Sequence, residues 1–462
     1  MKHSRSLLNF VLAFLAAIAL CLTVVPAAWA FCGFYVAKAD SKLYNQASQV
    51  AIAREGNQTV LTMANDYQGE VKDFAIVVPV PVVLKKEQVK VANPAIIERL
   101  DAFSAPRLVE YFDPDPCQRF ELEDRIPMSA VPAPQAAGES KSRRSDAFGV
   151  TIEAKFSVGE YDILILSAKE SGGLETWLRQ NDYKIPDGAR KLLRPYIRQK
   201  MKFFVAKVNL EKFEDSGFTR LRPLQMTYQS PRFMLPIRLG MVNAQQAQDL
   251  IVYVLSPQGR AEVTNYRTVQ VPSNVNIPEF VKNEFGPFYK DLFSTAYDRE
   301  NRNVAFLEYA WNMANCDPCS ADPLNPEELK EAGVFWLDRS SDEPNPGIWN
   351  RRRPPVMNNG VYVTRLHVRY TRDKFPEDLM FQTTNNQDTF QGRYVMQHPF
   401  LGEAKCAEGK RYRAALPRRF EQEAQTLSKL TGWNINDIRK KLPTIKLADF
   451  SWFDRVWFNF LG

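Results

Sequence analysis

Twice in its first 170 residues the chain alternates apolar and polar side chains on both sides of a glycine. "SQVAIARE" and "QTVLTMAND" flank Gly56-Asn57, and "VTIEAKFSV" and "YDILILSA" flank Gly159. A period of two on each side of a tight turn is the signature of an antiparallel hairpin with one face buried. A helix buries one stripe at a period near 3.6 and cannot be built from these segments. At least one antiparallel sheet must therefore form near the N-terminus.

The rest of the pattern mixes strands with helices. "DFAIVVPVP" (73–81) is a more fully apolar strand whose Pro79 and Pro81 cannot donate to a ladder, so its end lies at an edge or leaves the sheet. "PAIIERLDAF" reads as a helix with proline at its first turn. Leu174, Trp177 and Leu178 share one helix face; Leu192, Leu193, Tyr196 and Ile197 share another. "KFFVAKVNL", "FMLPIRLG", "QDLIVYVLS", "AEVTNYRTVQV", "NVAFLEYAW", "VYVTRLHVRYT" and "QGRYVMQHPF" read as strands. Between the fourth and fifth of them "PEFVKNEFGPFYKDLFSTAY" is helical, and a last long helix is expected from about 417 to 441. Hairpins are prominent and no βα rhythm repeats. The expected class is α+β: a mixed, largely antiparallel sheet with flanking helices, supported by disulfides.

The ends and two loops stand apart. Lys2, His3 and Arg5 precede an apolar run from Phe10 to Val25, then Pro26 and Ala28-Trp29-Ala30, the layout of an export signal over residues 1–30; the Ala-x-Ala end favours cleavage, with a retained membrane anchor as the alternative. The residues before Cys21 and Cys32 are Leu20 and Phe31, too large for a lipid-attachment site, so no lipid anchor is expected. Residues 31–446 form the α+β region, with length enough for two subdomains of roughly 100–200 residues each. Within it, residues 125–147 are rich in proline, alanine, serine and charge and read as a mobile loop. Its "KSRR", like "NRRRPP" at 350–355, reads as solvated turn rather than polyanion site. Net charge is +7 and falls to +5 without residues 1–30, which hold Lys2 and Arg5 and no acid. That excess suits an anionic surface and does not point to nucleic acid.

Several motifs, taken in order, resemble one known family. They are "CGFYV", "FAIVVPVP", "WLRQNDYKIP" followed by "FFVAKVNL", "LPIRLG", "CDPCSADPL" and "RYVMQHPFLGEAKC". Together they resemble the exported bacterial family known as domain of unknown function 2330. The resemblance implies a secreted or envelope protein and supplies no activity and no catalytic residue.

Chemistry-bearing residues are few. Cys32, Cys117, Cys316, Cys319 and Cys406 follow the signal segment, and exported cysteines usually end in disulfides. Cys316-Asp317-Pro318-Cys319 has oxidoreductase spacing. Asp317 would raise a thiolate pKa, and Asn325, the expected cap of the helix "PEELKEAG", puts the helix start a loop away. A structural role is favoured, with one or both cysteines of the pair bridging to Cys117 or Cys406. His367 and His398 lie on separate strands and do not make a zinc site, and "FDPDPCQRFELED" lacks calcium-loop spacing. No metal and no cofactor are expected. The C-terminal segment 447–462 is dense in aromatics; Phe450, Phe453, Trp457 and Phe460 fall at helical spacing. Docking on the protein's own surface is favoured over contact with a membrane interface, because the stripe lacks a cationic face.

The expectation is an exported protein, periplasmic or cell-surface associated, that binds or scaffolds an envelope component without catalysis. A thiol-disulfide oxidoreductase using Cys316 and Cys319 is the alternative, and a hydrolase with unmarked carboxylates comes third.

Overall fold

The structure is a computed structural model that describes residues 34–37, 44–45, 48–64, 67–68, 74–118, 149–181, 189–218, 221–242, 247–315, 321–337 and 360–443. The signal segment, the 125–147 loop, the "NRRRPP" turn and the C-terminal aromatic segment lie outside these residues. Two sheets face each other. The smaller runs β1 (Phe34–Ala37), β6 (Phe74–Val80), β11 (Lys202–Val208), β10 (Tyr161–Ala168), β9 (Val150–Val158), antiparallel throughout. Among the described residues β1 pairs with residues 74–77 of β6, and Pro79 is opposite Phe203 of β11.

The larger sheet runs β16 (Arg267–Gln270), β18 (Val304–Asn312), β19 (Tyr362–Tyr370), β14 (Gln248–Ser256), β3 (Ser48–Glu55), β4 (Gln58–Ala64), β12 (Leu224–Gln229), β7 (Val89–Val91), with β21 (Phe390–Gln391) also on β18. The opening hairpin forms as the alternation predicts, with Gly56 in the left-handed region at φ +54°. Strand β3 then pairs parallel with β14, and β16 parallel with β18, so the sheet is mixed. Short pieces complete the strands: β2 (Tyr44–Asn45) with β5 (Tyr67–Gln68); β13 (Met234–Leu235), β20 (Leu379–Thr383) and β15 (Ala261–Val263); and β17 (Val275–Asn276), β22 (Arg393–His398) and β8 (Arg107–Phe112).

Packing follows from which residues face inward. Val50, Ile52, Leu61 and Met63 of the large sheet meet Ile76, Ile163, Phe204 and Ala206 of the small one in the main core. The outer face of the small sheet (Val77, Leu166, Phe203, Val205) is covered by α2 (Ser171–Gln180) and α3 (Ala189–Arg198) through Leu174, Leu178, Leu193 and Tyr196. The outer face of the large sheet carries α1 (Ala95–Ser104), whose Ile96, Ile97, Leu100 and Phe103 pack on Ala51, Ile251, Tyr253 and Tyr309. Helices, sheet, sheet and helices thus stack in four layers, consistent with the expected α+β class. Two short helices, α4 (Leu210–Asp215) and α6 (Pro326–Glu331), lie in connections; Asn325 caps α6 as expected, its side chain accepting from Glu328 N–H.

Three elements differ from the sequence reading. "FMLPIRLG" is a strand for two residues only and then a 3-10 turn over Arg238–Val242. Pro236 has no N–H, and the buried Asp378 carboxylate accepts the N–H groups of Ile237 and Arg238. "AEVTNYRTVQV" is two strands in different sheets, because Asn265 between them bonds the β20 edge at Met380 N–H and Asp378 carbonyl. The last helix begins ten residues early: α7 spans Ala407–Thr431 with Pro417 inside, stops at Gly432 (φ +75°), and α8 (Ile435–Lys441) follows. Burial of Leu416 and Phe420 on either side of Pro417 holds the helix through the missing hydrogen bond.

Gly333, just past α6, has φ +97°, and a Cβ there would lie 2.5 Å from Val60 Cγ1 on β4. Gly333→Ala is expected to cost about 2 kcal/mol or more from strain plus overlap, whereas Gly217→Ala, at φ +70° in open space, carries the strain alone, roughly 1 kcal/mol. Urea unfolding of the two variants checks the difference.

Candidate functional site

The large sheet's outer face holds a ribbon of charge between α1 and α5 (Phe285–Arg299). Strand β19 contributes Arg365, His367 and Arg369, two apart and so on one face. Opposite them in register are Tyr253, Ile251 and Asp249 of β14. Glu308 enters from β18 at a bulge: Leu307 pairs with Leu366 and Tyr309 with Arg365, leaving Glu308 as the extra residue. Gly392 N–H caps its carbonyl. A bulge re-aims a side chain, and here it sends a carboxylate that is 1% exposed in among the β19 cations.

The charged ends of the ribbon meet one another. Glu308 Oε2 accepts from Arg365 Nε at 2.6 Å; Oε1 lies 2.7 Å from His367 Nδ1 and accepts from the Tyr289 hydroxyl of α5. His367 Nε2 reaches Asp249 Oδ1 at 3.2 Å, and Arg369 grips Asp249 with Nε and Nη2 at 2.7 and 2.9 Å. At the other end Arg365 Nη1 donates to Asp101 of α1 at 2.7 Å, and Tyr253 donates to the same oxygen at 2.8 Å. Phe293 of α5 stacks on the His367 ring at 3.8 Å and lies under Arg369.

Burial alone would push the Glu308 carboxyl up, but His367 and Arg365 outweigh it and hold it at about 2. Asp249 is likewise at about 2: burial opposes, and His367 and Arg369 win. Burial would lower His367, and the two carboxylates raise it instead. The two carboxylates favour the charged ring, which would donate from both nitrogens. Three anions (Asp101, Asp249, Glu308) balance three cations (Arg365, His367, Arg369). A general base needs a free lone pair within reach of substrate, and His367 has neither nitrogen free. The chemistry of the ribbon is that of a closed circuit joining α1, three strands and α5.

A second buried carboxylate is used in the same way. Asp378 pairs bidentately with Arg238 (3.0 and 2.7 Å) and accepts from the Tyr196 hydroxyl of α3 at 2.5 Å.

The residues singled out from sequence fall in several places. Cys117 and Cys406 are bonded to each other, with Cα atoms 5.9 Å apart. The expected bridge from Cys316 or Cys319 to either of them is therefore corrected. The cause is β22 running parallel to β8, with His398 beside Phe112, so both chains leave the sheet at the same end. Cys32, Cys316 and Cys319 lie outside the described residues, as do Phe450, Phe453, Trp457 and Phe460. Helix α6 starts at Pro326 and is six residues long. His398 lies between Glu110 and Glu279 and stacks on Phe112. Of the acidic stretch around Cys117, Asp115 turns back to accept Cys117 N–H, and Asp113 pairs with Arg419. Among the described residues no three His, Cys, Asp or Glu side chains are grouped to hold a metal, and no helix is long and apolar enough to cross a membrane. The ribbon itself was missed, although charges at every second position of an otherwise apolar strand, "TRLHVRY", were its signal.

A family model described as "Uncharacterized protein conserved in bacteria (DUF2330)" matches residues 26–382. The chain belongs to this family. The match covers the three strands that carry the ribbon, and it ends before the "RYVMQHPFLGEAKC" motif at 393–406. Comparison with curated proteins and with solved structures finds no match.

Proposed function

We propose that this protein of the DUF2330 family is exported and acts in the cell envelope as a non-catalytic binding or scaffolding protein. What carries the reading is the ribbon: its buried ionisable groups are paired with one another. The N-terminal signal pattern and the extracellular-type disulfide support export. Large apolar side chains at the disulfide end support a binding role: Phe112 is 72% and Leu401 91% exposed, with Tyr111 beside them. An envelope component is the proposed partner, and the aromatic C-terminal segment is proposed as a second, self-docking or membrane-facing contact.

A photo-reactive residue at Phe112, in protein expressed with its own leader, tests this. Irradiation of intact cells is expected to give one discrete adduct with an envelope component, and the same residue at Phe218, an exposed position in the connection after α4, is expected to give none. Retention in the cytoplasm, or identical adduct patterns from both positions, would overturn the reading.

A further inference from the structure

Helix α7 is held on the β17–β22–β8 sheet by an acid-rich seam beside the disulfide. Asp113, just past β8, accepts from Gln397 Nε2 and Arg419 Nη1, both at 2.6 Å, and from the Tyr412 hydroxyl. One turn beyond Arg419, Glu423 is 5% exposed. Its Oε1 lies 3.6 Å from Arg419 Nε without a hydrogen bond. Arg419 Nε and Glu279 Oε1 are also buried with no hydrogen bond. His398 at the end of β22 stands 2.9 Å from Glu110 and 3.1 Å from Glu279, and Lys282 takes Glu110 at 2.7 Å. Four carboxylates (Glu110, Asp113, Glu279, Glu423) thus face two permanent cations (Arg419, Lys282) and one histidine.

We propose that Glu423 is a proton-operated latch that seats α7 on this sheet. Protonated, it is neutral and removes its repulsion with Glu279 and Asp113. Ionised, it leaves a buried carboxylate that Arg419 alone does not satisfy, because that guanidinium is already turned to Asp113. Burial, with Glu279 and Asp113 adding to it against Arg419, raises the Glu423 carboxyl to about 7 from an ordinary 4.5. A raised folded-state value means that the proton stabilises the seated helix. The stabilisation is complete below about 4.5 and is lost as pH rises through about 7. In that window the opening equilibrium should rise up to tenfold per pH unit, and it should level off above it. The exterior of a cell is not buffered as its cytoplasm is, so the joint would respond to the medium.

Hydrogen exchange of the full, oxidised chain from pH 5 to 8.5, corrected for intrinsic rates, tests the latch. Peptides of α7 and β22 should open more as pH rises to about 7, and those of α2 and α3 should not follow this trend. Glu423→Gln, which mimics the protonated acid, should hold α7 protected at every pH. Glu279→Gln should shift the response to lower pH, and this remains readable if the first variant folds poorly. His398→Gln should keep the wild-type response. A Glu423→Gln protein that tracks wild type, or a His398→Gln protein whose response is flat, overturns the assignment to Glu423.

Discussion

Glu308→Ala is expected to lower the unfolding free energy at pH 6 by roughly 3–5 kcal/mol, the cost of leaving a buried charge without its partner. The magnitude comes from what stays behind. Arg365 is 6% exposed and would keep Asp101, at the ribbon's edge, as its one acidic partner among the described residues, while His367 would keep Asp249 as its one. Glu308→Gln should cost less, since a neutral amide still offers one acceptor. The paired change Glu308→Met with Arg365→Met should recover most of the loss, because an apolar pair of similar volume avoids desolvating both ions. Urea unfolding followed by far-UV circular dichroism reads all three. A single-variant loss below about 1 kcal/mol would mean that water reaches the ribbon and screens it.

The ribbon also sets a pH profile. Glu308 and Asp249 have depressed values near 2, so their contribution is present above their ordinary range and fades as pH falls toward 2. His367 is raised, so its contribution is complete below its ordinary 6.5 and fades as pH rises through the raised value. Stability from this network is therefore greatest between about pH 4.5 and 6.5.

The hairpins were legible in the sequence because β3–β4 and β9–β10 need only local information: a period of two and a turn glycine. So was the cap of α6, where Asn325 and Glu328 complete a box within four residues. Illegible were the features set by distant partners. Nothing local says that Glu308 occupies a bulge, since the extra residue is defined only against Leu366 on β19. Nothing local splits "AEVTNYRTVQV" between two sheets, because the acceptors for Asn265 come from residues 378–380. The cysteine pairing failed for the same reason. Proximity of Cys117 to Cys406 depends on β8 and β22 lying parallel, a pairing of segments almost 300 residues apart. The charged residues of β19 carried a usable signal, because a strand with apolar neighbours and charges at alternate positions buries one of two faces, and a large sheet with helices on that face buries the charges.

Removing the Cys117–Cys406 bond should cost about 2–5 kcal/mol, toward the upper end because the bridge spans 289 residues and so constrains most of the unfolded chain. The double variant Cys117→Ser with Cys406→Ser isolates this effect. Cys406 is the N-cap of α7, its sulfur accepting Gly409 N–H at 3.2 Å, and serine is among the preferred caps, so the helix start survives the change. The folded contacts should survive too. Asp113 is held by Gln397, Tyr412 and Arg419 independently of the sulfurs, which keeps the end of β8 against α7. The expected result is therefore a lower urea midpoint with native circular dichroism, matched by wild-type protein in reductant. If α7 instead loses protection from hydrogen exchange while global stability is unchanged, the bond acts on the folded seam and not on the unfolded chain. The entropic account would then be wrong for this protein.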